Sequence, residues 1–70
     1  MRRLKKMREL AGLTQLQLAM LSDVDRATLC LAETRQLKLS RAQQERVLTV
    51  LERMIRVRAK AYKPYLEVTQ

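Results

Sequence analysis

The chain is predicted to fold as an all-α domain, and three observations lead there. Its apolar residues are mainly Leu, Val, Ala and Met, with no Phe or Trp and only Tyr62 and Tyr65 as aromatics, a composition that packs helices better than sheets. One Gly and one Pro leave little turn chemistry for hairpins. The apolar positions recur at three- and four-residue steps along most of the 70 residues, which is the spacing of a helix face. At this length one domain is expected, burying only about 60% of the surface its unfolded chain exposes. Its stability margin is therefore small.

The first helix is expected from Arg2 to Ala11, with Leu4, Met7, Leu10 and Ala11 on its apolar face and Arg3, Lys5, Lys6, Arg8 and Glu9 elsewhere. Gly12 follows, where a helix ends in a left-handed residue. Thr14 and Gln17 stand at capping-box spacing, so each side chain can bond the other's backbone amide at the start of a second helix, Gln15 to Leu21. Ser22, Asp23 and Val24 interrupt that helix. Asp25 then offers its carboxylate to the first free amides of a third helix, Arg26 to about Thr34. Arg35 to Leu39 lead to a second capping box, Ser40 with Gln43, which opens the longest periodic segment, about Arg41 to Tyr62. Pro64 is expected to prevent much further extension. Tyr65 to Gln70 should form a short tail, frayed or pinned only by Tyr65 and Leu66.

Fifteen Lys or Arg residues against seven Asp or Glu give a formal net charge of +8 and an isoelectric point near 10.6. So much positive potential on a small domain favours a polyanionic partner, although a merely solvated surface has the same composition. The single Cys30 excludes an intramolecular disulfide, and with no His and no second Cys there are no credible zinc ligands. A reducing, cytoplasmic setting without metal or cofactor is the simplest expectation. The basic start MRRLKKMREL has no apolar core after it, and no uncharged apolar run approaches about 18 residues, so neither a signal peptide nor a membrane partner is expected. The initial Met1 and the short tail after Pro64 lead us to expect a complete short chain. No Gly-rich phosphate loop and no acidic pair that a cleft would gather is present, so an enzyme is not expected.

Two helices of about eight residues joined by a three-residue turn make the helix-turn-helix arrangement, about residues 14–34, whose second helix lies in a major groove while the first braces it. Within this segment GLTQLQLAMLSDVDRATLCLAE, Gly12 to Glu33, resembles the core of the phage Cro and cI repressor family, the XRE-type regulators. With its flanks the similarity extends over most of Leu4 to Leu51. The matching features are the Gly-Leu-Thr-Gln start, small Ala19 where the two helices cross, Val24 in the turn, Leu29 and Ala32 facing inward, and Glu33 at the end of the third helix. The chain departs from the family at Asp23 and Arg35, where Gly is usual, at Leu39, where Pro is usual, and near Leu51, where many relatives end a helix. Asp tolerates a left-handed backbone better than most residues, so the turn survives its departure.

The resemblance implies a lambda repressor-like fold, and the missing stop near Leu51 predicts that its fourth and last helix is one long helix where many relatives have two short ones. The resemblance also implies a sequence-specific regulator of transcription that binds duplex DNA, such as a repressor of a phage, plasmid or other mobile element, or a restriction-modification controller. Carried over position by position, it puts Gln15 on a phosphate and Arg26, Ala27, Thr28 and Leu31 in the groove. The chemistry of these residues agrees: helix N-terminal amides favour phosphate, Arg bonds guanine in bidentate fashion, Thr bonds either base type, and Ala or Leu touches a thymine methyl. Arg26 is the first base-reading candidate, with a phosphate clamp as its alternative role. Arg35 and Lys38 are expected on the DNA backbone, and Arg2, Arg3, Lys5 and Lys6 are either further nucleic-acid contacts or a solvated face. Cys30 is either a redox-sensitive position or simply a small residue beside the interface. Beyond Leu18, Ala19 and Leu21, which are expected to make the core face of the second helix, Leu16 and Met20 add an apolar strip suited to a protein partner; with the stripe of the long helix it is the basis of an alternative reading as an antitoxin or adaptor. RNA remains open as a target, without the aromatic residues common in single-strand readers.

At 100° per residue the apolar residues of the long helix fall into two stripes about 95° apart. Leu48, Leu51, Ile55 and Tyr62 form one; Val47, Val50, Met54, Val57 and Ala61 form the other. A small domain is expected to cover the first, leaving the second, with a/d spacing over two heptads, for the same helix of a second copy. The competing arrangement wraps the whole arc onto the other three helices, with Arg58 inside the arc favouring some exposure.

Overall fold

The computed structural model describes residues 3–68, and their side chains as far as Ala61. Among these residues the chain forms four α-helices and no strand: α1 (Leu4–Leu10), α2 (Gln15–Ser22), α3 (Arg26–Glu33) and α4 (Arg41–Val68). The all-helical expectation holds. Each helix start after the first is capped as the side chains dictate. Thr14 Oγ1 accepts from the Gln17 amide at 3.1 Å while Gln17 Oε1 accepts from the Thr14 amide at 2.9 Å. Ser40 and Gln43 repeat the reciprocal pair at 3.1 and 3.0 Å, and Asp25 Oδ2 accepts from the Ala27 amide at 3.1 Å. Each such cap contributes about 1 kcal/mol.

The helix ends depend on left-handed residues. Gly12 has φ +73°, Asp23 has φ +57° and Arg35 has φ +64°. Gly12 is favoured by this φ, and a Cβ there would stand 2.4 Å from Arg58 Nη1, so that guanidinium would have to move aside. α4 differs from expectation: the helix does not stop before Pro64 but continues to Val68. Proline removes one backbone donor and its ring crowds the carbonyl four residues back, but its φ is the helical value, so Pro64 costs α4 a hydrogen bond without ending it. The pinning expected of Tyr65 and Leu66, the place of Tyr62 in its stripe, and the contact expected of Arg2 lie outside the described residues and side chains.

Leu18 of α2, Leu29 of α3, and Val47 and Leu51 of α4 form the fully buried centre, each contributing about 1.5–3 kcal/mol by leaving water. Leu4, Ala11, Leu13 and Leu39 close the core from α1 and the connections. Two expected core residues are corrected. Leu10 and Leu21 are 54% and 56% exposed, because seven- and eight-residue helices bury one narrow face and these side chains lie at its edge. Ser22 is buried in the place expected of Leu21, satisfied by its hydroxyl donating to the Leu18 carbonyl at 2.6 Å.

The two stripes of α4 are resolved in a third way. The domain covers the boundary between them: Val47 and Leu51 are fully buried, Met54 and Ile55 are partly buried, and Val57 is 54% exposed. Val47, expected at a dimer interface, is instead a core residue, since its direction on the helix points between the stripes and into the core, where α4 packs on α2 and α1. Val50 and Met54 are likewise half-covered by their own domain. Arg58, also in this arc, donates from Nη1 to the Leu10 carbonyl at 3.0 Å and the Glu9 carbonyl at 3.4 Å.

Candidate functional site

Asp23, Val24 and Asp25 join α2 to α3. Val24 is buried and Asp23 takes the left-handed conformation that reverses the chain. The polar end of α2 is closed from α4, where Arg46 Nε donates to the Ser22 carbonyl at 3.1 Å and Arg46 Nη2 to the Asp23 carbonyl at 3.2 Å. The turn is thus fixed by a buried apolar plug on one side and a guanidinium on the other.

Leu29 and Ala32 seat α3 on the core, which leaves Arg26, Ala27, Cys30 and Leu31 exposed and Thr28 half-buried at the margin. These outward residues run from the start of the helix to Leu31. Arg35 and Lys38, in the following connection, are exposed as well. Leu16 and Met20 are 53% and 74% exposed and share with Arg26 a shallow groove of about 520 Å³. The residues expected to meet nucleic acid and those expected to meet a protein therefore adjoin.

Gln15 has a structural task that its position alone did not reveal. Its Nε2 donates to Glu33 Oε1 at 3.1 Å. Glu33 also receives Arg8, Nε to Oε2 at 2.7 Å and Nη2 to Oε1 at 3.2 Å, and Arg8 Nη1 donates to the Leu13 carbonyl at 2.9 Å. This network joins α1, α2 and α3. Burial pushes the Glu33 carboxyl up, but the hydrogen bonds from Arg8 and Gln15 and the charges of Arg8 and Lys5 outweigh it and hold the group below its ordinary value. Arg8 is raised, first by its hydrogen bond to Glu33. One amide proton of Gln15 is committed to this network, and its other polar atoms remain for a ligand.

Sequence reasoning missed Arg8, Arg46 and Arg58. Each acts on a group more than twenty residues away, so no local pattern marks it. Cys30 is a free, exposed thiol. Among the described residues no cluster of His, Cys, Asp or Glu has a metal-binding arrangement, and no described helix is long and apolar enough to cross a membrane. No family model, curated protein or solved structure matches this chain.

Proposed function

We propose that the chain is a sequence-specific regulator of transcription that binds duplex DNA, a Cro/cI-like helix-turn-helix repressor working as a homodimer on a palindromic operator. The observation that carries this reading is α3 itself. Braced from within by Leu29 and Ala32, it offers Arg26, Ala27, Cys30 and Leu31 outward on a chain of net charge +8. In this reading α3 enters the major groove, Arg26 reads a guanine, and Thr28 and Leu31 contact neighbouring bases. Gln15, Arg35 and Lys38 hold phosphates. The dimer forms through the part of α4 that extends past the domain, with Val57 and Ala61 at its centre and Val50 and Met54 at its edge, placing the two α3 helices about 34 Å apart.

The test is selection of bound sequences from a randomised duplex pool, followed by titration of the enriched duplex against scrambled DNA at fixed salt. A palindrome bound at least about a thousandfold more tightly is the expected result. Equal, weak binding of every duplex would sink the proposal and leave only the charge to explain it. With six to ten phosphate contacts, affinity should fall about 10³ to 10⁵ between 50 and 200 mM salt.

A second reading, an antitoxin or adaptor module, is favoured by one observation: the high exposure of Leu16 and Met20 beside a groove. Arg26 lines that groove too, so its replacement would affect both activities. Thr28→Ala discriminates better: it weakens operator binding in the first reading and leaves partner binding intact in the second.

A further inference from the structure

Between α1 and the end of α3 lies a cleft of about 350 Å³, and of its lining residues the DNA-binding reading puts only Arg35 on a phosphate. Arg3, Lys5 and Lys6 line it from one side and Arg35 from the other, above Ala32 and Glu33. None of these four cations takes part in an ion pair among the described residues. Glu33 also lines the cleft and feels the charge of Lys5, but its carboxylate is hydrogen-bonded by Arg8 and Gln15, and Glu9 is the other acidic residue of the lining. Four cations against two carboxylates, one of them already paired with Arg8, leave the lining net positive.

The backbone adds a second, independent sign. Arg35 sits at φ +64°, a conformation that glycine adopts freely and an L side chain resists. A strained position occupied by a cation, where a residue without a side chain would relieve the strain, points to a use for that side chain. Charged side chains, rather than a helix end, make this site.

We propose that this cleft binds a phosphate group, held by Arg35 opposite Arg3, Lys5 and Lys6. Two sources share that chemistry: a phosphodiester of duplex DNA lying beyond the outer face of α3, and the phosphate of a small free ligand. The first rests on the DNA-binding reading; the second does not.

The experiment uses the full chain and pyrophosphate as the probe, followed through backbone amide chemical shifts. Pyrophosphate should move the amides of Lys5, Lys6 and Arg35 in saturable fashion. Arg35→Gly should weaken that binding at least about tenfold, the effect of removing one charge-assisted hydrogen bond, while raising Tm by roughly 4 °C through relief of the left-handed strain. Opposite signs in the two readouts separate a ligand-binding role from a structural one. Lys5→Gln combined with Lys6→Gln should weaken pyrophosphate similarly without unfolding the chain. If either variant also lowers the slope of log affinity against log salt on duplex DNA by about one for each cation replaced, the source is the DNA backbone. An unchanged slope, or no DNA binding by the wild type, with pyrophosphate still bound, assigns the site to a free phosphate ligand. Unsaturable or unlocalised shifts, or a Tm that falls in Arg35→Gly with pyrophosphate affinity unchanged, overturn the proposal.

Discussion

Glu33 is the residue on which three helices meet. Its side chain is 4% exposed and that of Arg8 13%, so little water screens the pair and removing one member strands the other's charge. Glu33→Gln should therefore cost about 2–3 kcal/mol, a part of the 3–5 typical of fully buried pairs. The folded carboxyl lies below its ordinary 4.5, and the sign of the pH effect follows. The contribution is complete above that value and is lost as pH falls through the lower, folded one. Wild-type protein should thus lose stability on acidification, and Glu33→Gln should lose measurably less over the same window. Urea unfolding at a series of pH values checks this, and parallel curves for the two proteins would refute it. Gln15 donates to the same carboxylate, so the variant, whose amide oxygen is a weaker acceptor, also loosens the hold on a side chain expected on a phosphate.

At the scale of helices, α2 and α3 are each eight residues long, too short to persist alone in water. Their ends are held by single side chains. Asp25→Ala should cost about 1 kcal/mol by leaving the first amides of α3 unpaired. Arg46→Met keeps the apolar stem but removes both donors from the Ser22 and Asp23 carbonyls. It should cost about 1–2 kcal/mol. For a domain this size each kilocalorie is a Tm shift of about 4–8 °C, readable by circular dichroism. A Tm unchanged by either substitution would mean the turn is held by Val24 alone. The caps were legible in the sequence because they act within three residues; Arg46 was not, because its carbonyls lie on another helix.

Considered whole, the molecule measures 44 × 19 × 19 Å, and its long dimension is that of α4, since 28 residues at about 1.5 Å each reach about 42 Å. The other three helices cover only part of that length: Ala59, Lys60 and Ala61 are all exposed beyond Arg58. If a second copy covers this extension, Val57→Glu should convert a dimer into a monomer in sedimentation at micromolar concentration. Because Val57 is 54% exposed, the fold itself should change by no more than about 0.5 kcal/mol. A wild type already monomeric there removes the dimer from the proposal. Val47→Ala serves as the contrast: its side chain is in the core, so it should lower stability without acting through association.

The sequence by itself determined the four helices as elements, their caps and the outward residues of α3, because all of these depend on periodicity and on bonds between near neighbours; it placed the turn one residue early, since Ser22, expected to interrupt α2, is its last residue, and it ended α4 before Pro64. It also made the left-handed turn at Asp23 readable, since that residue type tolerates the conformation. Only the tertiary structure decided which direction of α4 is buried. A broad apolar arc is compatible with several faces, and packing against α2 and α1 selects the one through Val47 and Leu51. The same holds for the ion pair at Glu33, for Arg58 on the end of α1, and for the cleft that gathers Arg35 with Arg3, Lys5 and Lys6. Each joins residues far apart in the chain, and a pattern of period 3.6 carries no information about which helix a side chain will meet.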